Sequence, residues 1–299
     1  MTLTDIRLQC FAESERAIGV GLANVDGRWG LISMKLASAV SRTSSALLIL
    51  ILSTALAAGA EPARKAPECA VSAAAFSTGH WFARTAARLQ QGKPVTIVAV
   101  GSSSTFGVGA SSSAAAYPGR LEALLRDRFP AASIKVLNRG VNGEEAAQML
   151  ARFDRDVIPA NPDLVLWQVG TNAVLNFPVV TGQASLIHRG IERLKATNAD
   201  VLLIDPQYAP VVIARPQAQR MVDMIGFEAS EEGTGVLRRF ALMRNWYEIA
   251  HMPFGTFVSP DGLHMNDWGY DCIARQLAGA IGDAASKPTT TAAVAVSVR

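Results

Sequence analysis

The chain alternates short, continuous apolar runs with longer segments whose apolar residues recur at helical spacing. The runs are rich in β-branched residues, which predicts strands that are buried on both faces, as in a parallel sheet. We predict strands at residues 95–100, 134–137, 164–169, 201–204 and 236–240. The segments between them predict helices at residues 76–89, 117–129, 144–153, 186–196, 217–231 and 269–282.

Strands that alternate with helices require a parallel sheet with right-handed crossover connections. The pattern therefore predicts an α/β fold, a three-layer α/β/α sandwich around a central parallel sheet of about five strands. Ligands bind at the carboxyl ends of the strands in such sheets. The loops that follow the first three strands begin with Gly101, Asn138 and Gly170, so we expect these loops to meet at one edge.

One apolar run, at residues 46–58, does not belong to this alternation. It is too short to cross a bilayer comfortably. Lys35 and Arg42 precede it, and Ala58-Gly59-Ala60 fits a small-x-small cleavage site. This layout is typical of a secretory signal peptide and predicts a periplasmic or secreted protein.

We assign the signal peptide to residues 34–60, with Met34 at its start, and interpret residues 1–33 as an upstream extension foreign to the exported protein. After cleavage the protein would have no stable membrane span. Two alternatives remain, a buried core helix that starts near Ser44 and a retained membrane anchor.

Composition excludes several other classes of protein. The chain has 299 residues and 49% of them are hydrophobic, which suits one α/β domain of roughly 200 residues with additional segments. The formal net charge is only +3 and no basic stripe with interleaved aromatics occurs, so we expect no nucleic-acid partner. No two histidines have the spacing of metal ligands, and we expect no metal or other cofactor.

Two cysteines remain once Cys10 is assigned to the upstream extension. Cys69 and Cys272 lie near the two ends of the mature chain, and the termini of a domain often lie close together. In an oxidising compartment they could form a disulfide. Two ordinary buried thiols are an equally open interpretation.

The loop after the first strand offers a nucleophile, Ser103. A serine hydroxyl needs an adjacent base to be reactive, and the glycines around it let the backbone turn tightly. The alternative is a loop of small residues whose serine caps a helix. A dinucleotide-binding loop does not fit, because the G-x-G-x-x-G spacing is absent and no helix is expected directly after the loop.

The matching base is His264, three residues after Asp261. A carboxylate at this spacing can reach Nδ1 of the imidazole, fix its tautomer and leave Nε2 free to accept the serine proton. The chain order serine, aspartate, histidine also occurs in α/β-hydrolases, but their G-x-S-x-G elbow is missing around Ser103. The alternative is a turn at Asp261-Gly262 with a structural histidine.

The second and third loops contain candidate donors for an oxyanion. Gly140 can aim its backbone N–H into the cleft, and Asn172 has a side-chain amide at a strand end. Taken alone, each segment is also an ordinary turn. Together with the N–H of Ser103 they would supply the two or three donors that an acyl-transfer intermediate needs.

Four blocks make the chain similar to the SGNH hydrolase family, also called the GDSL esterase/lipase family, from about residue 95 to about residue 280. The blocks are Gly101-Ser102-Ser103-Ser104-Thr105, Asn138-Arg139-Gly140-Val141-Asn142-Gly143, Gly170-Thr171-Asn172 and Asp261-Gly262-Leu263-His264. The resemblance implies a flavodoxin-like fold, a Ser103, Asp261 and His264 triad and an oxyanion hole of Ser103, Gly140 and Asn172. Ser102 and Ala173 depart from it, because the family usually has aspartate at both positions.

The resemblance implies an exported serine esterase that acts on a small-molecule or glycan ester and needs no cofactor. The alternative is a non-catalytic carbohydrate-binding protein that retains the fold. We expect a linker and N-terminal helix at residues 61–92, the hydrolase domain at 93–284 and a disordered tail at 285–299. Gln207 and Tyr208 follow the fourth strand, and they favour a sugar or a short acyl group if they line the pocket.

Overall fold

A computed structural model describes residues 67–70, 72–76 and 81–287 of the chain. The predicted upstream extension and signal peptide lie outside the described residues, as does the tail from residue 288 onward. Among the helices of the described part, none combines the length and the apolar character that a membrane span requires.

A five-stranded parallel sheet forms the centre of the described part. Its strands lie in the order β2-β1-β3-β4-β5, so the order reverses between β1 and β3. This order is that of flavodoxin-like folds, and the reversal opens a crevice at the carboxyl ends of the strands. The strands are β1 (Val95–Gly101), β2 (Ile134–Gly140), β3 (Leu164–Gln168), β4 (Asp200–Ile204) and β5 (Gly235–Leu237).

Helices flank this sheet, which confirms the predicted α/β fold class. Helices α1, α3 and α11 pack together, and α4, α7 and α9 form a second group. The helices are α1 (Ala83–Gln90), α2 (Ser103–Phe106), α3 (Tyr117–Arg128), α4 (Ala146–Ala151), α5 (Phe153–Asp156), α6 (Thr171–Asn176), α7 (Gln183–Lys195), α8 (Pro210–Ile213), α9 (Ala218–Glu231), α10 (Arg239–Glu248) and α11 (Asp267–Ser286). Short 3₁₀ turns lie at Ala73–Ala75, Ile158–Ala160 and Phe254–Thr256.

The core lies between the sheet and its helices, as the apolar runs predict. Every residue of β3 is buried, and Trp167 at its centre has no exposed surface. Its ring meets the edge of Phe153 at 5.4 Å between centroids. A Cβ at Gly190 would collide with the Trp167 ring, so the glycine lets α7 approach the sheet closely.

Several predicted boundaries differ from the structure, among them the end of the second strand, which continues through Gly140 and so includes Asn138. The fifth strand ends at Leu237, and Phe240 lies in α10, a helix that the sequence analysis did not predict. The N–H of Phe240 donates to the buried Asp205 carboxylate at 2.9 Å, which starts the helix where the apolar pattern continues. The first helix begins at Ala83, because Phe76 instead forms an antiparallel bridge with Leu237.

Two further differences concern the end of the last helix and the first loop. The last helix continues through Ser286, so residues 285 and 286 are helical and do not belong to a disordered tail. A single helical turn, α2, does start directly after the Gly101 loop. Its C-terminal cap, Gly107, has φ 108°, a conformation that glycine adopts without strain.

A disulfide joins Cys69 to Cys272, with 5.4 Å between the two Cα atoms. The segment before α1 therefore lies against α11. Two further bonds hold it there, from Trp268 Nε1 to the Pro67 carbonyl at 2.8 Å and from Gln276 Nε2 to the Ala70 carbonyl at 2.7 Å. Of the two interpretations of these cysteines, the structure has the disulfide.

Candidate active site

Ser103 is the first residue of α2, immediately after the carboxyl end of β1. A Cβ at Gly101 would collide with Thr105 Oγ1 and with the Gln168 side chain, so only glycine fits at the end of the strand. Ser102 is buried and donates its N–H and its hydroxyl to Gln168 Oε1 at 2.9 and 3.1 Å. These contacts fix the turn that precedes α2. The N–H of Ser103 belongs to the first turn of this helix, where N–H groups have no partner within the helix.

The structure brings Ser103 and His264 together although 161 positions separate them. Ser103 Oγ lies 2.8 Å from His264 Nε2, and His264 Nδ1 lies 2.6 Å from Asp261 Oδ2. The three side chains therefore form one continuous chain of hydrogen bonds. Ser103 and His264 are half-buried, so the hydroxyl remains accessible to a ligand.

Asp261 is held as a carboxylate by its surroundings. Partial burial raises the pKa of this carboxyl, but four hydrogen bonds outweigh burial and bring the pKa well below its usual range. Besides the His264 ring, the donors are the N–H groups of Leu263 and His264, at 2.9 Å each, and the Ser259 hydroxyl, at 2.7 Å. An ionised Asp261 keeps the N–H of the imidazole on Nδ1 and directs the lone pair of Nε2 to Ser103.

Two further contacts support the loop that contains Asp261 and His264. Gly109 has φ 89°, and a Cβ there would collide with the Met265 carbonyl and come within 3.1 Å of His264 Cβ. Gln207 Nε2 donates to the Leu263 carbonyl at 3.1 Å. Gln207 is itself only 1% exposed, so it supports the loop from inside, and the condition that it lines the pocket is not met for this residue.

Gly140 lies close to α2 but its N–H already has an acceptor. It pairs with Gly101 in the register of β1 and β2, and a Cβ there would collide with the backbone of Phe106. Its N–H donates to Asn138 Oδ1 at 2.9 Å, while Asn138 Nδ2 donates to the Thr105 carbonyl at 2.9 Å. The Gly140 N–H would have to break its hydrogen bond to Asn138 Oδ1 in order to donate to an oxyanion.

Asn172 lies in the first turn of α6, immediately beyond β3. Its Nδ2 donates to the Glu144 carbonyl at 2.8 Å. A side-chain amide nitrogen has two N–H groups, so one remains for a ligand. The contact also ties the loop after β2 to the loop after β3.

Gly143 is a residue that the sequence analysis named in the second block without giving it a role. It has φ 78°, a conformation that favours glycine. No acceptor for its N–H is found within the described part of the chain. It immediately precedes Glu144, whose carbonyl holds Asn172. The positive φ was not readable from the sequence, but a second glycine three positions after Gly140 was a signal.

One group of possible metal ligands occurs among the described residues, away from the residues above in sequence. It consists of His188, Glu192 and Glu232, on α7 and at the end of α9. Lys195 Nζ lies 3.0 Å from Glu232 Oε2 and neutralises part of its charge. This arrangement is that of an exposed ion-pair cluster between two helices.

A parallel sheet in the flavodoxin-like order, with Ser103, His264 and Asp261 hydrogen-bonded at its carboxyl edge, defines the class of this fold as α/β. The chain belongs to the Non-GDSL lipase-like family, whose model matches residues 68–287. The resemblance to the GDSL esterases drawn from the sequence is therefore confirmed only in part, because the matching model describes a lipase-like family that is named apart from them. A comparison with curated proteins found no match.

Many solved structures match this chain, and the following three illustrate the shared fold. A two-domain esterase active on acetylated mannans is 18% identical with a TM-score of 0.60, over 71% of this chain and 54% of that protein. An acetylxylan esterase from Geobacillus stearothermophilus is 20% identical with a TM-score of 0.52, over 63% of this chain and 94% of that protein. An alpha/beta hydrolase from the metagenome of Lake Arreo, Spain, is 21% identical with a TM-score of 0.52, over 64% of this chain and 97% of that protein.

The match to the two-domain esterase covers about half of that protein's length. At these identities the likeness concerns the fold.

Proposed function

We propose that this protein is a serine hydrolase of carboxylic esters, related to the SGNH enzymes. The observation that carries the proposal is the continuous hydrogen-bond chain from Ser103 Oγ through His264 to Asp261. A serine with a neutral imidazole at 2.8 Å is an activated nucleophile, and the third group orients the base. A protein that only binds carbohydrate has no need of this arrangement.

In the first half of the proposed reaction, Ser103 Oγ attacks the ester carbonyl carbon as its proton passes to His264 Nε2. The carbonyl oxygen becomes an oxyanion. His264 then gives the proton to the leaving alcohol, the bond from carbon to the alcohol oxygen breaks, and an acyl-Ser103 ester remains. Asp261 stays ionised throughout and stabilises the imidazolium.

In the second half, water attacks the acyl-enzyme while His264 accepts one of its protons. The Ser103 oxygen then leaves and regains a proton from His264, which releases the carboxylic acid. His264 accepts a proton at both attacks, so its Nε2 needs a free lone pair in each half of the reaction.

The proposed oxyanion donors are the Ser103 N–H, the free N–H of Asn172 Nδ2 and one glycine N–H. Gly140 is the glycine that the second block indicates. Gly143 is a second candidate, because its N–H has no acceptor in the described residues whereas Gly140 donates to Asn138. Donors that are fixed before the reaction need no reorganisation when the charge develops.

The preferred substrate class is an acetylated glycan. Two of the structural neighbours act on acetylated polysaccharides, mannans in one case and xylan in the other. Structures of the acetylxylan esterase include catalytic mutants at a serine, an aspartate and a histidine. Its aspartate precedes its histidine by three residues, which is the spacing of Asp261 and His264 here.

A specific observation favours a second substrate class, esters of longer acyl chains. Most of the large apolar side chains that are exposed in the described part lie in segments that follow β1 to β4, at the same edge as Ser103. They are Phe106, Val141, Phe177, Val179 and Ile213. An apolar rim of this kind can cover an acyl chain, whereas an acetyl group needs no such surface.

Export is part of the proposal. The disulfide between Cys69 and Cys272 supports it, since structural disulfides persist in oxidising compartments. The predicted signal peptide at residues 34–60 would deliver the protein there.

The experiment is steady-state hydrolysis of p-nitrophenyl acetate and of acetylated xylan and mannan oligosaccharides. We expect Ser103→Ala to lower kcat by roughly 10⁴-fold or more, the scale for removal of a triad member. Asn172→Ala should lower it by about 10²–10³-fold if the amide is one oxyanion donor. Turnover of these esters by Ser103→Ala at the wild-type rate would refute the proposal.

A further inference from the structure

Arg152 is a buried cation that contacts the carboxyl ends of β1 and β2, the strands that lead to Ser103 and Gly140. It lies between α4 and α5, and only 4% of its surface is exposed. Its guanidinium faces two carboxylates, Glu144 at 2.7 Å from Nε and Asp156 at 3.3 Å from Nη1. Burial of a guanidinium costs free energy unless the group is paired and hydrogen-bonded. The two carboxylates supply that pairing and hold the Arg152 side chain in one position.

The Nη2 group of Arg152 holds two backbone carbonyls at the ends of neighbouring strands. It donates to the Arg139 carbonyl at 2.8 Å and to the Gly101 carbonyl at 3.3 Å. The Arg139 carbonyl belongs to the same peptide group as the Gly140 N–H. A trans peptide is planar with its C=O and N–H pointing in opposite directions, so fixing the carbonyl also fixes the direction of the N–H.

The Gly101 carbonyl belongs to the peptide group that precedes Ser103 by one residue. Arg152 and the Val141 N–H hold its oxygen, at 3.3 and 3.0 Å, and Gln168 Oε1 accepts its N–H at 2.9 Å. Both ends of this peptide group are therefore restrained. The turn that presents Ser103 and its N–H begins from a fixed position.

Arg152 is also linked to Asn172 through one intermediate residue, Glu144. Arg152 Nε binds the Glu144 carboxylate, and the Glu144 backbone carbonyl accepts from Asn172 Nδ2 at 2.8 Å. Gly143, in the same loop, immediately precedes Glu144. Arg152 thus contacts the residue directly before Gly140, the residue two positions before Ser103, and Glu144, which follows Gly143 and accepts from Asn172.

We propose that Arg152 is a positioning residue that sets the geometry of the oxyanion hole, an inference that rests on the proposed esterase function. A planar guanidinium has five donors in a fixed fork and can hold a carboxylate and two carbonyls at once. A lysine ammonium would supply the charge without the fork. Misplacement of catalytic groups by about 1 Å can cost about 10²-fold in rate.

The test compares Arg152→Ala and Arg152→Lys with Arg155→Ala. Arg155 is the matched control, because it binds the same Asp156 carboxylate at 2.8 Å, is exposed and contacts none of the proposed donors. For each variant, kcat and KM for p-nitrophenyl acetate are measured per active site, counted as the fraction of protein that a fluorophosphonate labels at completion. This normalisation separates a slow site from a fraction of unfolded protein.

We expect both Arg152 variants to lower kcat by about 10²-fold with KM changed by less than about threefold, because an oxyanion hole acts on the transition state. Arg155→Ala should match the wild type. Millimolar guanidinium chloride should restore part of the kcat of Arg152→Ala, while sodium chloride at equal ionic strength should not. A merely structural arginine would show no such rescue per labelled site.

Equal kcat per labelled serine in Arg152→Ala and Arg155→Ala would overturn the inference, as would full activity in Arg152→Lys. If Arg152→Ala gives too little labelled protein, Arg152→Lys alone decides between these outcomes. Failure of the esterase proposal gives a different result, since Ser103→Ala would then hydrolyse the ester as fast as the wild type.

Discussion

Loss of the Cys69–Cys272 disulfide should destabilise the described domain strongly. The bond connects the segment before α1 to the buried face of α11, and 203 positions separate its two cysteines. The perturbation is either reduction of the wild type or the double substitution Cys69→Ala and Cys272→Ala. Neither residue belongs to the proposed site, so the experiment concerns stability alone.

The size of the effect follows from the length of the loop that the bond closes in the unfolded chain. For a loop of about 203 residues, the chain-entropy relation gives about 5 kcal/mol at 25 °C, near the upper end of measured effects. For a domain of this size each kcal/mol shifts Tm by about 2–4 °C, which predicts a decrease of about 10–20 °C.

The assay is thermal unfolding followed by circular dichroism, with and without a phosphine reductant. The wild type should lose about 10–20 °C in Tm on reduction, and the double alanine variant should unfold near the reduced wild type and be insensitive to reductant. Alkylation of the unfolded protein should add two more groups after reduction than before it. An unchanged Tm, or equal alkylation in both states, would refute the reasoning.

Two further predictions concern single side chains. Asp261→Asn should lower kcat for p-nitrophenyl acetate by about 10⁴-fold with the fold intact, because the amide no longer fixes the imidazole tautomer. The folded state depresses the pKa of Asp261, so its carboxylate stabilises the protein at pH values above its unfolded pKa of about 4. This stabilisation is lost as the pH falls below that value. Acid unfolding curves should therefore show a weaker pH dependence in Asp261→Asn, and identical curves would contradict this assignment. Gly101→Ala should destabilise the protein by about 1–3 kcal/mol in urea unfolding, because its Cβ would collide with Thr105 and Gln168. The matched control Gly226→Ala, which has open space at the Cβ in α9, should be neutral or stabilising, and equal effects of the two substitutions would show that the packing argument is wrong.

The sheet could be predicted because its physics is local and repetitive. Runs such as residues 95–100 and 164–169 are apolar on both faces, and only a strand between two layers of helices buries such a run completely. The same pattern failed at Phe240, where the apolar run continues through β5 into α10. At this position a tertiary contact favours the helix, because the Asp205 carboxylate accepts a hydrogen bond from the Phe240 N–H. A sequence pattern does not contain that contact.

The proximity of Ser103 and His264 followed from topology, because Ser103 directly follows β1 at the carboxyl edge of the sheet and the loop of His264 returns to that edge. The supporting contacts did not. Arg152 reads as an ordinary helical residue in sequence, and its role depends on carbonyls at positions 101 and 139 that fold beside it. The occupied N–H of Gly140 was equally hidden, since its acceptor is a side chain whose conformation depends on α2.

The most direct test of the central claim is to label the protein with a fluorophosphonate and to locate the adduct by mass spectrometry. The proposed triad predicts a single adduct on Ser103 in the wild type and no labelling of Ser103 in His264→Ala over the same time, because only an activated serine reacts. An adduct on another residue, or labelling of Ser103 at the same rate in His264→Ala, would contradict it.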